Sequence, residues 1–209
     1  MSLKTAKIIS IIGHPVFIPI YALIVIFKFH PVLGSRVYGT SQFNIIIVFS
    51  GFLSLIPLFA TMMLLGKATL KQLAEINQTE RIKASFVMSV VYILAYFYLR
   101  QQNFLIEGII EVLIFALCIG SCVLGVMSYF KKISFHAFGW AGLLTLMIVL
   151  GRSQESFFLF WVLAILFVSA IVITSRLVLN AHTHSEVYLG FFVGLISNIA
   201  VYLLFNGKL

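Results

Sequence analysis

Seven long apolar stretches, separated by short segments that hold most of the charge, constrain this chain more than any other feature. They run at about 8–28, 43–65, 84–99, 107–128, 137–151, 157–175 and 186–205. A transmembrane helix needs roughly 20 apolar residues, because the hydrocarbon layer is about 30 Å thick and a helix rises about 1.5 Å per residue. In hydrocarbon every backbone N–H and C=O must be bonded within the chain, so stretches of this kind are helical. Of 209 residues 62% are hydrophobic and 10% charged, and the mean hydropathy is +1.13, which is more apolar surface than one small soluble core hides. The expected fold is all-α: a polytopic transmembrane helical bundle of about seven helices, with six as the alternative, in which residues 1–209 form one integral membrane domain. The stretches at 84–99 and 137–151 are short for a full crossing and read as tilted or partial spans.

Lys4 and Lys7 precede the first stretch as in a signal peptide, but His14, Pro15 and Pro19 interrupt it and no small-x-small cleavage site follows, so an uncleaved first helix is expected. The 14 basic residues outnumber the 6 acidic ones, without a basic stripe or an aromatic-interleaved groove for nucleic acid. Membrane topology and anionic headgroups account for that excess, so the expected partners are membrane lipids and not nucleic acid. Cys118 and Cys122, one turn apart in an apolar stretch, read as small hydrophobes.

Seven crossings put three polar segments on one side of the membrane. They are Lys67 to Lys83, Lys131 to His136, and Arg176 to Glu186. Ionisable groups beside spans are costly to desolvate and are functional candidates by default. Together these segments offer cations, two imidazoles, His136 and His182, and a carboxylate. This is the inventory of a phosphoryl-transfer site: cations for a dianion, a nucleophile, a proton donor and a group to fix the nucleophile's tautomer. The chain contains no aspartate, and of Glu75, Glu80, Glu107, Glu111, Glu155 and Glu186 only Glu75, Glu80 and Glu186 fall on this side. Two-metal phosphatase chemistry, which needs several carboxylates, is not expected.

The third segment is the most specific. His182 and Glu186, four residues apart, share a helix face, whereas Arg176 falls roughly 120° from His182 on one unbroken helix. A chain break near Asn180 is needed to bring all three together.

Ser175-Arg176, five residues, His182, three residues, Glu186 resembles the third motif of the type 2 phosphatidic acid phosphatase (PAP2) superfamily, with glutamate in place of aspartate. Ile133-Ser134-Phe135-His136 is similar to the second motif, without its proline and glycine. Lys71 and Arg81 stand nearest to the first, three residues farther apart than in the family, with Ile82 where proline is usual. The resemblance covers the last 80 or so residues well and the first half loosely. It implies a PAP2-like core and a metal-independent phosphatase without a cofactor. In that reading His182 attacks phosphorus to form a phosphohistidine, Glu186 holds the other ring nitrogen and His136 protonates the leaving alcohol. Arg176, Arg81 and Lys71 bind phosphate oxygens, helped by Ser134 and by backbone N–H groups where the fifth helix begins. Expected substrates are lipid phosphates such as phosphatidic acid, phosphatidylglycerol phosphate or polyprenyl pyrophosphate.

The remaining polar residues have simpler readings. His14 and His30 precede prolines at helix ends, and only His14 falls on the active side. His184 points about 200° from His182 on a helix and reads as solvated. Lys131 and Lys132 are topology anchors, one of which can stand in for the first-motif lysine; Glu107 and Glu111 cap or solvate the opposite end. Two other classes compete: a non-catalytic lipid-binding or scaffold protein with the same fold, and a metalloenzyme using His136, His182 and His184, against which the scarcity of carboxylates argues. The active side carries nine Lys or Arg against five. Without the phosphate ligands Lys71, Arg81 and Arg176 the ratio is six to five, so orientation rests on the resemblance, which places the site on the periplasmic face of a bacterial inner membrane.

Overall fold

The computed structural model describes residues 1–30, 40–74, 76–101, 108–151 and 158–205. Glu75 and Glu107, assigned above to the two sides, lie outside these residues. Among the described residues every regular element is helical, and six helices are long and apolar enough to cross a membrane. The order is α1 (Leu3–Ile12), a 3-10 turn (Pro15–Phe17), α2 (Ile18–Phe29), α3 (Thr40–Ser50), a π-helical stretch (Gly51–Leu55), α4 (Ile56–Leu65), α5 (Leu70–Ala74), α6 (Gln78–Gln101), α7 (Gly108–Phe130), α8 (Phe135–Leu150), α9 (Phe158–Val178) and α10 (His184–Leu204). The bundle turns large apolar side chains outward, among them Phe97, Phe160, Phe167, Phe192 and Ile196, as a lipid-facing surface requires.

The third crossing is longer than its apolar stretch. The 84–99 segment was expected to be short, but α6 spans 24 residues. Its extension, Gln78 to Lys83, is polar yet helical because Asn77 and Glu80 cap each other: Glu80 N–H donates to Asn77 Oδ1 at 2.9 Å and Asn77 N–H to Glu80 Oε2 at 3.0 Å. The fifth helix, α8, is short as read, with 16 residues or about 24 Å. It lies inside the bundle, packed by α2, α7, α9 and α10, and 11 of its residues are buried. Protein rather than lipid therefore surrounds its ends, which relaxes the length requirement.

Close approach of α10 to α8 depends on glycine. A Cβ on Gly190 would lie 2.8 Å from the Ser134 carbonyl oxygen, and one on Gly194 2.7 Å from that of Phe138.

The first span is broken at Gly13-His14-Pro15. Proline has no N–H to give, and the amides of His14 and Val16 bond to the Ile11 carbonyl and the His14 ring instead of the carbonyls four residues back. The carbonyls freed here find side-chain donors: His136 on Ser10 at 3.1 Å, Tyr21 on Ile12 at 2.8 Å and Trp140 on Gly13 at 3.0 Å. The break is thereby locked onto α8, and α1 packs against α9.

Candidate active site at the polar end of the bundle

The three polar connections and the end of α1 meet at one end of the bundle. Gln78 Nε2 donates to the Ser128 carbonyl at 2.7 Å, Arg81 Nη1 to Ile133 at 3.4 Å and Lys132 Nζ to Ala181 at 3.4 Å. The Ser134 amide donates to the Glu186 carbonyl at 3.2 Å, and Arg176 Nη1 to Ser10 Oγ at 2.6 Å. The parity expected from seven crossings is the geometry found.

The break expected near Asn180 falls on that residue. Asn180 is the one described non-glycine residue with positive φ, at 50°, a left-handed conformation that asparagine tolerates. Its amide bonds to Leu177 O and the next amide, Ala181, to Arg176 O, a Schellman ending to α9. Thr183 then opens α10 as N-cap in a capping box with Glu186. His182 thus sits just ahead of the helix, not on it as expected. Glu186 reaches back from the first turn, and its Oε2 accepts from His182 Nδ1 at 2.9 Å and from the Thr183 amide at 3.1 Å. One carboxylate both starts the helix and fixes the histidine. With the proton on Nδ1, the Nε2 lone pair is left over.

His182 is buried, and its pKa is lowered from the usual 6.5 to about 4, first by burial and then by the Arg81 charge. The Glu186 bond opposes this without reversing it. The imidazole is neutral at pH 7, the state a nucleophile needs.

Arg81 is 3% exposed. Its Nε donates to the Ile76 carbonyl at 3.2 Å, and its guanidinium carbon lies 5.1 Å from the Phe135 ring centroid. His136, the second residue of α8, is buried with its Nε2–H directed at the Ser10 carbonyl. Arg81, Arg176, His136 and His182 line one cavity of about 150 Å³, which His14 joins. Away from this polar end its walls are mainly apolar, with Ser54, Thr61, Ser121 and Asn198 among them, and reach deep into the bundle, past Leu53, Met88, Tyr92 and Leu113 to Tyr202 near the far end of α10.

Two expected ligands lie elsewhere. Lys71 is exposed on α5 and does not line the cavity. Ser134 is fully buried outside the cavity wall: its extended backbone makes it the N-cap of α8, and its Oγ accepts from the Ala137 amide at 3.4 Å. Ser134 therefore orders the helix that carries His136 rather than facing a ligand. Lys131 bonds Ser185 Oγ at 3.0 Å, and Lys132 braces the carbonyl next to His182; neither lines the cavity. His184 is exposed and stacks on Tyr188. Glu111, at the opposite end, accepts from Tyr96 Oη at 2.7 Å, an interhelical contact and not only a cap. Among the described residues no group of three His, Cys, Asp or Glu side chains is placed to hold a metal ion.

Sequence reasoning missed Ser10 and largely set His14 aside. The signal for His14 was its place on the active side, next to a proline that breaks the first span.

Comparison with protein-family models, with characterised proteins and with solved structures finds no match to this chain.

Proposed function

We propose that this chain is a membrane-embedded lipid-phosphate phosphatase of the PAP2 kind, using His182 as its nucleophile. One observation carries the reading: a neutral imidazole, held at Nδ1 by Glu186, shares a cavity with two buried guanidinium groups, and that cavity continues into the apolar interior. The polar end suits a phosphate dianion and the apolar part suits a hydrocarbon tail.

In the first step the His182 Nε2 lone pair forms a bond to phosphorus while the bond from phosphorus to the lipid oxygen breaks. The leaving oxygen keeps that electron pair and takes a proton from His136 in its imidazolium form, which the charge of a bound dianion favours. Arg81 and Arg176 neutralise the equatorial oxygens, and Glu186 stabilises the positive charge that develops on His182. Water then attacks phosphorus and gives a proton to His136, which the first step left neutral; the bond to His182 breaks with its electron pair returning to Nε2, and inorganic phosphate leaves. The residues that hold the phosphate need no metal in this scheme. The substrates fitting it are phosphatidic acid, phosphatidylglycerol phosphate and polyprenyl pyrophosphate, with the site on the periplasmic face of a bacterial inner membrane.

Phosphate release from these lipids in detergent with EDTA, by native protein and by His182→Ala, tests the reading. Release that disappears in the variant is expected. Release unaffected by the substitution overturns the nucleophile assignment. No release from any lipid by folded native protein favours the second reading, a non-catalytic lipid-binding protein, which the position of Lys71 outside the cavity supports.

A further inference from the structure

The break in the first span leaves one polar group unused by the scheme above. His14 is buried in the cavity wall, its ring perpendicular to that of His136 with centroids 5.3 Å apart. The Val16 amide donates to His14 Nδ1 at 3.3 Å, so this nitrogen carries no proton and the ring proton sits on Nε2. Among the described residues that N–H meets no protein acceptor. A cap alone does not call for imidazole, since Ser or Thr accept the same amide bond at less cost in buried polar surface. What imidazole adds is a second nitrogen, on the far side of the ring from the one that caps.

We propose that His14 is a further substrate-binding residue of this site: a neutral imidazole whose Nε2–H donates to an oxygen of the bound phosphoryl group. The inference rests on the phosphatase reading and extends it to a segment that none of the three motifs includes. The neighbouring contacts are consistent with it. Ser10, one turn earlier on α1, accepts from Arg176 Nη1 through its hydroxyl and from His136 Nε2 through its carbonyl, so the end of α1 already sets the position of two cavity residues. With Lys71 exposed on α5, the first span takes over the donor role that the first polar segment only half fills, through Arg81. A fixed neutral donor stabilises charge without adding another cation beside Arg81 and Arg176, and its orientation is set in advance by the bond at Nδ1.

The two nitrogens separate by substitution. Asparagine mimics Nδ1: His14→Asn keeps an acceptor for the Val16 amide but is too short to present a donor where Nε2 stands. Glutamine mimics Nε2: His14→Gln brings an N–H to that position and loses the cap. The probe is vanadate, a phosphoryl transition-state mimic, with binding read by calorimetry on the full chain in detergent and phosphate release measured beside it. Melting temperature and elution volume confirm that each variant is folded.

The expected result is that His14→Asn melts like native protein but binds vanadate about tenfold to a hundredfold more weakly, the range for one hydrogen bond to a charged group, with release falling in parallel. His14→Gln melts lower and binds within a few fold of native. The opposite order, with Asn native-like and Gln weak, makes His14 a cap only and overturns the proposal, as does native binding by both. In either case His182-dependent release by native protein leaves the phosphatase reading standing. Native protein that neither binds vanadate nor releases phosphate overturns that reading and this one with it.

Discussion

Glu186 Oε2 lies 2.9 Å from Nδ1 of His182, and the same oxygen accepts the amide of Thr183, so the bond that orients the candidate nucleophile is also part of the cap that begins α10. Position and tautomer of the imidazole are thus tied to the start of a helix. Glu186→Gln keeps the side-chain length, but its amide can turn either an acceptor or a donor toward Nδ1, and it no longer offers a charge to the imidazolium-like intermediate. Release is expected to fall by about 10²–10⁴-fold, with a loss of only about 0.5–2 kcal/mol in stability. Single-turnover phosphate release and thermal unfolding of the same preparation separate the two effects. An equal loss in both would make Glu186 a cap alone.

The pH dependence follows from the environment of His182. Burial, then the Arg81 charge, lower its pKa to about 4, so the lone pair on Nε2 persists well below the range of an ordinary imidazole. An unperturbed histidine at about 6.5 is mostly protonated at pH 5.5. Single-turnover formation of the phosphoenzyme is therefore expected to hold its rate at about pH 5.5 and to decline only as pH approaches the lowered value. Stability follows with the same sign. The unfolded chain takes up the proton near 6.5 and the folded one only near 4, so stability present above 6.5 is lost as pH falls through that window. Acid unfolding of His182→Gln should show a shallower slope there; a slope equal to that of native protein would contradict the burial argument.

What was legible in the sequence was local. The spacing Arg176, His182, Glu186 demanded a break at Asn180, and the break is there because asparagine accepts the left-handed conformation that closes α9. Parity of the crossings placed three distant segments at one end, as found. Non-local placement was less visible. Nothing in the residues around Ser10 announces that a helix break will aim its carbonyl at His136, since that depends on how α1 leans against α9 and on Trp140 and Tyr21 taking the neighbouring carbonyls. The resemblance made Ser134 a ligand as the serine of the second motif, yet a serine one residue ahead of a helix is more useful as its cap. The start of α6 was missed because polar residues beyond the hydrocarbon look like a loop to a hydropathy argument, although the pair Asn77 and Glu80 carries a cap signature.

Arg81 and Arg176 are expected to differ in how they fail. Arg81 holds the carbonyls of Ile76 and Ile133 and lies over Phe135, so it braces the connection before α8 as well as lining the cavity. Arg81→Lys keeps the charge but loses the fork that spans two carbonyls, and should lower both melting temperature and kcat/KM. Arg176 bonds Ser10 Oγ from the last turn of α9. For Arg176→Lys the expected loss in kcat/KM is about 10²-fold with a smaller change in melting temperature. Kinetics on a soluble-headgroup lipid phosphate together with melting curves check both. Equal profiles for the two variants would show that the carbonyl contacts of Arg81 carry no structural weight.

Gly190 supplies a test that changes no ionisable group. It stands one turn beyond Glu186 on α10, where the helix presses on the N-cap of α8, and an added Cβ would sit 2.8 Å from the Ser134 carbonyl oxygen and 3.1 Å from its amide nitrogen. Those neighbours are backbone, which cannot swing aside, so the two helices must move apart. The displacement falls on the Ser134 amide, which bonds the Glu186 carbonyl, and on α8, which carries His136 two residues from the contact. Gly190→Ala is accordingly expected to cost about 1–3 kcal/mol, as overpacking usually does, and to lower phosphate release by more than tenfold although no cavity residue changes. Ser197→Ala, farther along α10 where the hydroxyl bonds only its own helix, should leave release unchanged. If Gly190→Ala instead releases phosphate at the native rate from a destabilised bundle, the geometry of the site does not depend on the α8 to α10 contact.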